Sequence, residues 1–382
     1  MSQDRFADIR PYNDNEVRAV IDRLLRNPEL LDAITRLRFP RLAEPLIALL
    51  RPLVRLFLWR QVAGIDSVRG FQQVVEKYMS SMVESSTSAF SVSGLERLDP
   101  ARACLFIGNH RDIALDPAFV NYALYANGRD TVRIAIGDNL LTRDDVSDLM
   151  RLNKSFIVRR SAKGPRQMLA AYQELSGYIC HSLLEEHSSI WIAQREGRAK
   201  DGWDRTEPAI IKMLCISKAK DIPLAEYIRA LNIVPVAISY EWDPCDAAKA
   251  RELCQRAAQG NYQKGEQEDV SSIARSITTP KGAVHVAFGR PLEGPFTNAD
   301  EVAAAIDSQV MSMYRMHPTN VAAYRMQQAQ LPPGFTEDAG LAGAEQALRE
   351  RLAGLPPEHH ALLLSMYANP LLNRAALGLA SG

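Results

Sequence analysis

Apolar positions divide the chain into stretches of different rhythm. Over roughly the first 90 residues they recur at spacings of three and four, as in Val17 to Leu31 and Gly70 to Met82, which predicts helices. Between these lies Arg36 to Arg60, RLRFPRLAEPLIALLRPLVRLFLWR, in which Leu46, Ile47, Leu49, Leu50, Leu53, Leu56, Phe57, Leu58 and Trp59 are mixed with six arginines and one glutamate. Pro40, Pro45 and Pro52 are expected to break this stretch into short helices.

From Gly94 short apolar runs alternate with helical patterns. Ala103–Gly108, Thr131–Ile136, Ser155–Val158, Ser189–Ala193, Asn232–Ser239 and Gly282–Phe288 read as strands. Ala114–Ala126, Pro165–His187 and Glu207–Ser217 read as helices. Met168, Tyr172, Leu175, Ile179 and Leu183 form one stripe of the second, and Pro165 suits its first turn. After Pro291 the chain reads as helical again, with one helix over Asp300–Tyr314 and short helices over 330–382, a stretch holding Pro332, Pro333, Pro356 and Pro357. Strands alternating with helices predict an α/β fold, a mixed, mostly parallel sheet flanked by helices, with helical N- and C-terminal extensions. The expected divisions are a helical region over 1–90, an α/β domain over 91–298 and a helical region over 299–382.

Composition narrows the class without naming a chemistry. Of 382 residues, 47% are apolar and 24% charged, so the chain is neither disordered nor low-complexity. Lys plus Arg equals Asp plus Glu, 45 each, so no global field draws the molecule to nucleic acid. Cys104, Cys180, Cys215, Cys245 and Cys254 are scattered, with no Cys-x-x-Cys pair. Neither a disulfide framework nor a metal site is expected, and a reducing compartment is. The opening MSQDRFADIRPYND lacks a secretory pattern, and no run of 18 apolar residues occurs.

Three polar clusters fall at the ends of expected strands, where open α/β sheets place their ligand crevice. The first is Asn109-His110-Arg111-Asp112, continuing to Asp116. Either carboxylate would fix the His110 tautomer and leave its other nitrogen as a base; read alone, the group is equally a strand-end histidine with a helix cap. The second is Phe156-Ile157-Val158-Arg159-Arg160 with Lys163, basic groups beside a helix start that suit a phosphate, or else a solvated basic loop. The third is Arg195-Glu196-Gly197-Arg198, a charged cluster on a tight turn. His-Arg-Asp is also a kinase catalytic-loop string, but Pro117 stands where that loop needs Asn, and no Asp-Phe-Gly is present.

In this order the blocks NHRDIALD, KSFIVRR, QREGRAKDG and IVPVAIS resemble the glycerolipid acyltransferases, the glycerol-3-phosphate and 1-acylglycerol-3-phosphate O-acyltransferases, over residues 94 to 292. The resemblance implies acyl transfer from acyl-CoA or acyl-carrier protein to a hydroxyl of a glycerophosphate or lysophospholipid acceptor, with no cofactor and no metal. It implies that His110 is the general base, with a carboxylate partner. Asn109, Arg111, Phe156, Arg159, Arg160, Lys163, Glu196, Gly197 and Arg198 would surround the acceptor, and Pro235 would line an acyl or acceptor channel. Leu115 occupies the family's Asp position. The partner is therefore Asp116, after one extra residue, or Asp112; the helix pattern that follows favours Asp116. Arg198 stands where the family has Thr, and Ala199 where it has Arg.

A long-chain product implies an enzyme at a membrane. Leu46 to Trp59 with Arg51, Arg55 and Arg60 has the makeup of an interfacial helix on an anionic membrane surface, or of a helix buried in a bundle. The expected location is cytoplasmic, peripheral on the inner face of the cell membrane. The competing readings are a non-catalytic lipid- or phosphate-binding protein on the same scaffold, and a hydrolase. The latter would want a Gly-x-Ser-x-Gly elbow, absent from the sequence.

Overall fold

The computed structural model describes residues 4–263, 265, 268–331, 334–335 and 339–379. Pro332 and Pro333 of the expected C-terminal pattern, and residues 1–3 of the N-terminal one, lie outside them. The chain gathers into two compact units, residues 1–80 with 133–178, and residues 81–132 with 179–382. The strands are β1 Thr87–Ser93, β2 Leu105–Gly108, β3 Arg133–Gly137, β4 Ser155–Val158, β5 Ile190–Ala193, β6 Ile233–Tyr240 and β7 Gly282–Phe288.

In the first unit, the helical pattern of 17–31 is carried by two helices, Asp14–Leu24 and Pro28–Arg38. Asn27 accepts from the Leu30 amide and Pro28 opens the second helix, so the chain restarts there. Val17, Val20, Ile21, Leu24, Phe71 and Leu152 form this unit's core. The helix Ala43–Val62 corrects one expectation in part. Pro52 lies inside it without ending it, whereas Pro40 falls in the gap before it and its irregular backbone, at Leu46, follows Pro45. One face stays open: Leu49 is 69% exposed, Leu53 62%, Phe57 54% and Trp59 50%. Among the described residues no helix is long and apolar enough to cross a membrane. β3 and β4 pair in parallel, Ile134 with Ser155 through Gly137 with Val158.

In the second unit the strands run in the order β1-β7-β6-β2-β5. β1 with β7, β6 with β2 and β2 with β5 are parallel, and β6 with β7 antiparallel, so the sheet is mixed and mostly parallel. β2 and β6 are buried throughout, as continuous apolar runs in a covered sheet should be. β1, with the sequence TSAFSVS, has no apolar run and was not expected; it sits at the edge and pairs along β7. The helix Pro165–Leu184 contributes residues to both units; of its stripe, Leu175, Ile179 and Leu183 are buried, while Met168 and Tyr172 are 42% and 39% exposed. The C-terminal helices Ala339–Ala353 and Pro357–Ala376 are longer than expected, and Pro370 lies within the second. With Pro318–Gln328 they enclose a second apolar cluster around Leu348, Leu363, Met366 and Tyr367.

Candidate active site

β2 delivers His110 just past its C-terminal end, and the helix Leu115–Ala126 starts five residues later. Its backbone is held by Asn109, whose side chain copies a strand. Asn109 Nδ2 donates to the Ile238 carbonyl at 2.9 Å, and the Ile238 amide donates to Oδ1 at 2.8 Å. The loop after β5 closes the other side, where the Ala199 amide donates to the His110 carbonyl at 2.7 Å. Gly197 lets that loop turn, at φ +73°, where a side chain would be strained.

Asp116, fully buried in the first turn of its helix, takes the partner position. Its Oδ2 lies 3.0 Å from His110 Nδ1 and also accepts the Arg111 and Asp112 amides at 2.7 and 2.8 Å. Its Oδ1 accepts the Tyr240 hydroxyl at 2.7 Å. Both oxygens of that carboxylate serve as acceptors, so Nδ1 is read as the donor to Oδ2 and Nε2 keeps the lone pair. Asp112 does different work. Its Oδ1 accepts the amides of Ala114 and Leu115 at 3.0 and 2.9 Å, which caps the start of the helix, and its Oδ2 accepts from Ser276. Burial, then the neighbouring Asp116 charge, pushes the Asp112 carboxyl above its usual range.

Two residues expected at the acceptor are turned inward. Asn109 is fully buried in the bonds described above. Arg111 is 5% exposed; its Nη2 meets Asp204 Oδ2 at 2.6 Å and the Gly202 carbonyl at 3.1 Å, and its guanidinium lies 5.6 Å from the Tyr314 ring centre. Burial works against that charge, but Asp204 outweighs it and holds the guanidinium protonated. Both residues are bonded within the framework of the loop that carries His110. Pro235, expected in a channel, lies in the middle of β6 beside Ile107, buried within the sheet. Its carbonyl accepts the Gly289 amide at 2.8 Å.

Arg198 lies one residue before the amide that grips His110, and its buried Nη1 has no hydrogen-bond partner among the described residues. Glu196 and Gly197 are exposed on the turn, and the Glu196 amide donates to Glu207 at 3.3 Å. The remaining expected residues belong to the first unit. Phe156 is buried against Tyr178, ring centres 5.0 Å apart. Arg159 pairs with Glu174 at 3.2 Å and Asp8 at 3.4 Å, and Arg160 and Lys163 are exposed. Asp138 accepts the amides of Arg160 and Ser161 at 3.0 and 3.2 Å, shaping that basic turn. Among the described residues no group of three His, Cys, Asp or Glu side chains is placed to hold a metal ion.

Nothing in the sequence pattern marks Tyr240 or Asp204. Tyr240 ends an apolar strand with no pattern to mark it, and Asp204 sits in a polar loop where acids are common.

Residues 89–238 match the model of the acyltransferase family. No curated protein matches the chain. Among solved structures, it is similar to the 1-acyl-sn-glycerophosphate (LPA) acyltransferase PlsC from Thermotoga maritima, with 16% identity, a TM-score of 0.38, and coverage of 74% of this chain and 92% of that one.

Proposed function

We propose, from the premise that residues 89–238 form a domain of the acyltransferase family, that the protein transfers a fatty acyl group from a thioester to a hydroxyl of a glycerophosphate or lysophospholipid. The observation that carries this reading is the 3.0 Å contact of His110 Nδ1 with Asp116, which leaves Nε2 as the base. His110 Nε2 takes the acceptor's hydroxyl proton as its oxygen attacks the thioester carbonyl. The carbon–sulfur bond breaks, and the leaving thiolate takes that proton from the imidazolium, so histidine is regenerated and no acyl-enzyme forms. Help of this kind is worth about 10²–10⁴ in rate. Arg198, with its unpartnered Nη1, supports a role in holding the acceptor's phosphate, which would position the hydroxyl.

A bilayer is the proposed place of work. The helix Ala43–Val62 carries Leu46, Leu49, Leu53, Leu56 and Phe57 at helical spacing, all exposed, beside exposed Arg55 and Arg60. Such a face suits the boundary of an anionic leaflet. Arg51 contributes less than the sequence implied, because Nε and Nη2 are engaged by Asp32 at 2.5 and 2.7 Å.

The test is to incubate the purified protein with a long-chain acyl-CoA or acyl-carrier protein and either glycerol-3-phosphate or lysophosphatidate, following thiol release and acylated lipid. His110→Ala should remove the product while leaving the unfolding temperature near that of the native protein. Arg198→Ala should raise KM for the phosphorylated acceptor far more than for the thioester. Phospholipid binding without turnover, or free fatty acid as the sole product, would overturn the reading.

A further inference from the structure

Building on the reading of His110 as the base, we infer that Tyr240 is a positioning residue acting through Asp116: its hydroxyl fixes the carboxylate and draws charge from it, and so sets how strongly Asp116 holds the His110 Nδ1–H. Tyr240 ends β6, opposite Val284 of β7. It is 4% exposed, and its ring stands edge-on to Phe119 with centres 5.8 Å apart. The hydroxyl reaches Asp116 Oδ1 at 2.7 Å. The phenol is the donor and the carboxylate oxygen accepts. Burial, reinforced by the Asp116 charge, drives ionisation of Tyr240 well above its ordinary range and keeps the proton on its oxygen.

The geometry makes β6 the reference for the whole histidine loop. Asn109, the residue before His110, is bonded to both backbone polar groups of Ile238. Asp116, the partner of His110, is bonded to Tyr240, two residues further along the same strand. Both ends of the segment that presents the imidazole are therefore indexed to one rigid element. Turning the carboxylate about its bond would break the Tyr240 contact along with those to the Arg111 and Asp112 amides. Without the phenol, Oδ1 would be a buried lone pair with one donor fewer, and the carboxylate would be a stronger acceptor toward histidine.

The test compares the native protein, Tyr240→Phe, and the protein with 3-fluorotyrosine at position 240. The readout is the downfield proton resonance of His110 Nδ1–H, assigned by its loss in Asp116→Asn. Tyr240→Phe should move it further downfield, and the more acidic fluorophenol, a stronger donor that preserves the fold, should move it upfield. In acyl transfer, Tyr240→Phe should lower kcat mainly on the acidic side of the rate profile, where the more strongly held imidazole stays protonated. KM for the acceptor should hold, and the acidic limb of the rate profile should move to higher pH. A resonance unmoved in the phenylalanine variant, or in the fluorotyrosine protein should Tyr240→Phe not fold, overturns the inference. If the resonance moves as expected while His110→Ala retains acyl transfer, the base reading fails and the coupling of Tyr240 to His110 stands.

Discussion

Asp116 Oδ2 lies 3.0 Å from His110 Nδ1, whereas Asp112, four residues earlier and ahead of the helix, accepts the amides of Ala114 and Leu115 on its Oδ1. Two carboxylates of similar appearance in the sequence thus have separate tasks. Asp116 orients an imidazole. Asp112 starts a helix.

That division predicts opposite phenotypes. Asp116→Asn should lower kcat/KM by about 10²–10⁴, the scale of general-base help. Asp112→Ala should cost about 0.5–2 kcal/mol of stability, as for a lost cap, with a smaller change in rate. Steady-state kinetics beside denaturant unfolding measures both, and the reverse ranking would overturn the assignment.

Arg111 and Asp204 form a buried ion pair at 2.6 Å, with side chains 6% and 0% exposed. Asp204→Ala strands the guanidinium inside the protein and should cost about 3–5 kcal/mol in urea unfolding. Replacing both together, Arg111→Met with Asp204→Leu, should recover most of that loss, because the expense is the uncompensated charge. Equal losses in the single and double variants would contradict the argument.

His317 is 3% exposed, and burial, followed by the positive charges of Arg315 and His285, lowers it to about 4 from an ordinary 6.5. Between those values the unfolded chain takes up a proton that the folded protein refuses. Stability should therefore be complete above about pH 6.5 and fall as pH drops toward 4, by at most about 3 kcal/mol. His317→Gln should flatten that part of a stability-versus-pH curve; an unchanged slope would place the dependence elsewhere.

Vesicle sedimentation checks the open face of the helix Ala43–Val62. Replacing Arg55 and Arg60 by Gln should weaken binding to phosphatidylserine vesicles about fivefold per arginine, since each basic residue near such a surface contributes about 1 kcal/mol. Binding to neutral phosphatidylcholine should stay the same. Arg51→Gln should have little effect, because Asp32 already holds that guanidinium. Identical binding in all variants would mean that the helix does not meet the lipid.

The sequence by itself determined the parts of this protein whose cause is local. β4 and β7 run over the residues expected of them, because a short apolar run bounded by polar residues has few other places to go. The first and third polar clusters were legible for the same reason, since chain direction alone sets them at the C-terminal ends of β2 and β5. Tertiary structure decided the rest. β1 is a strand because β7 offers it an edge, despite its serines and threonine. Pro52 stays inside a helix that the sequence read as broken there. The partner of His110, the inward turn of Asn109 and Arg111, and the hydroxyl of Tyr240 on Asp116 depend on where a carboxylate's few acceptor sites find donors. Those donors and acceptors come from positions as far away as 204, 238, 240 and 276, which no spacing along the chain brings together.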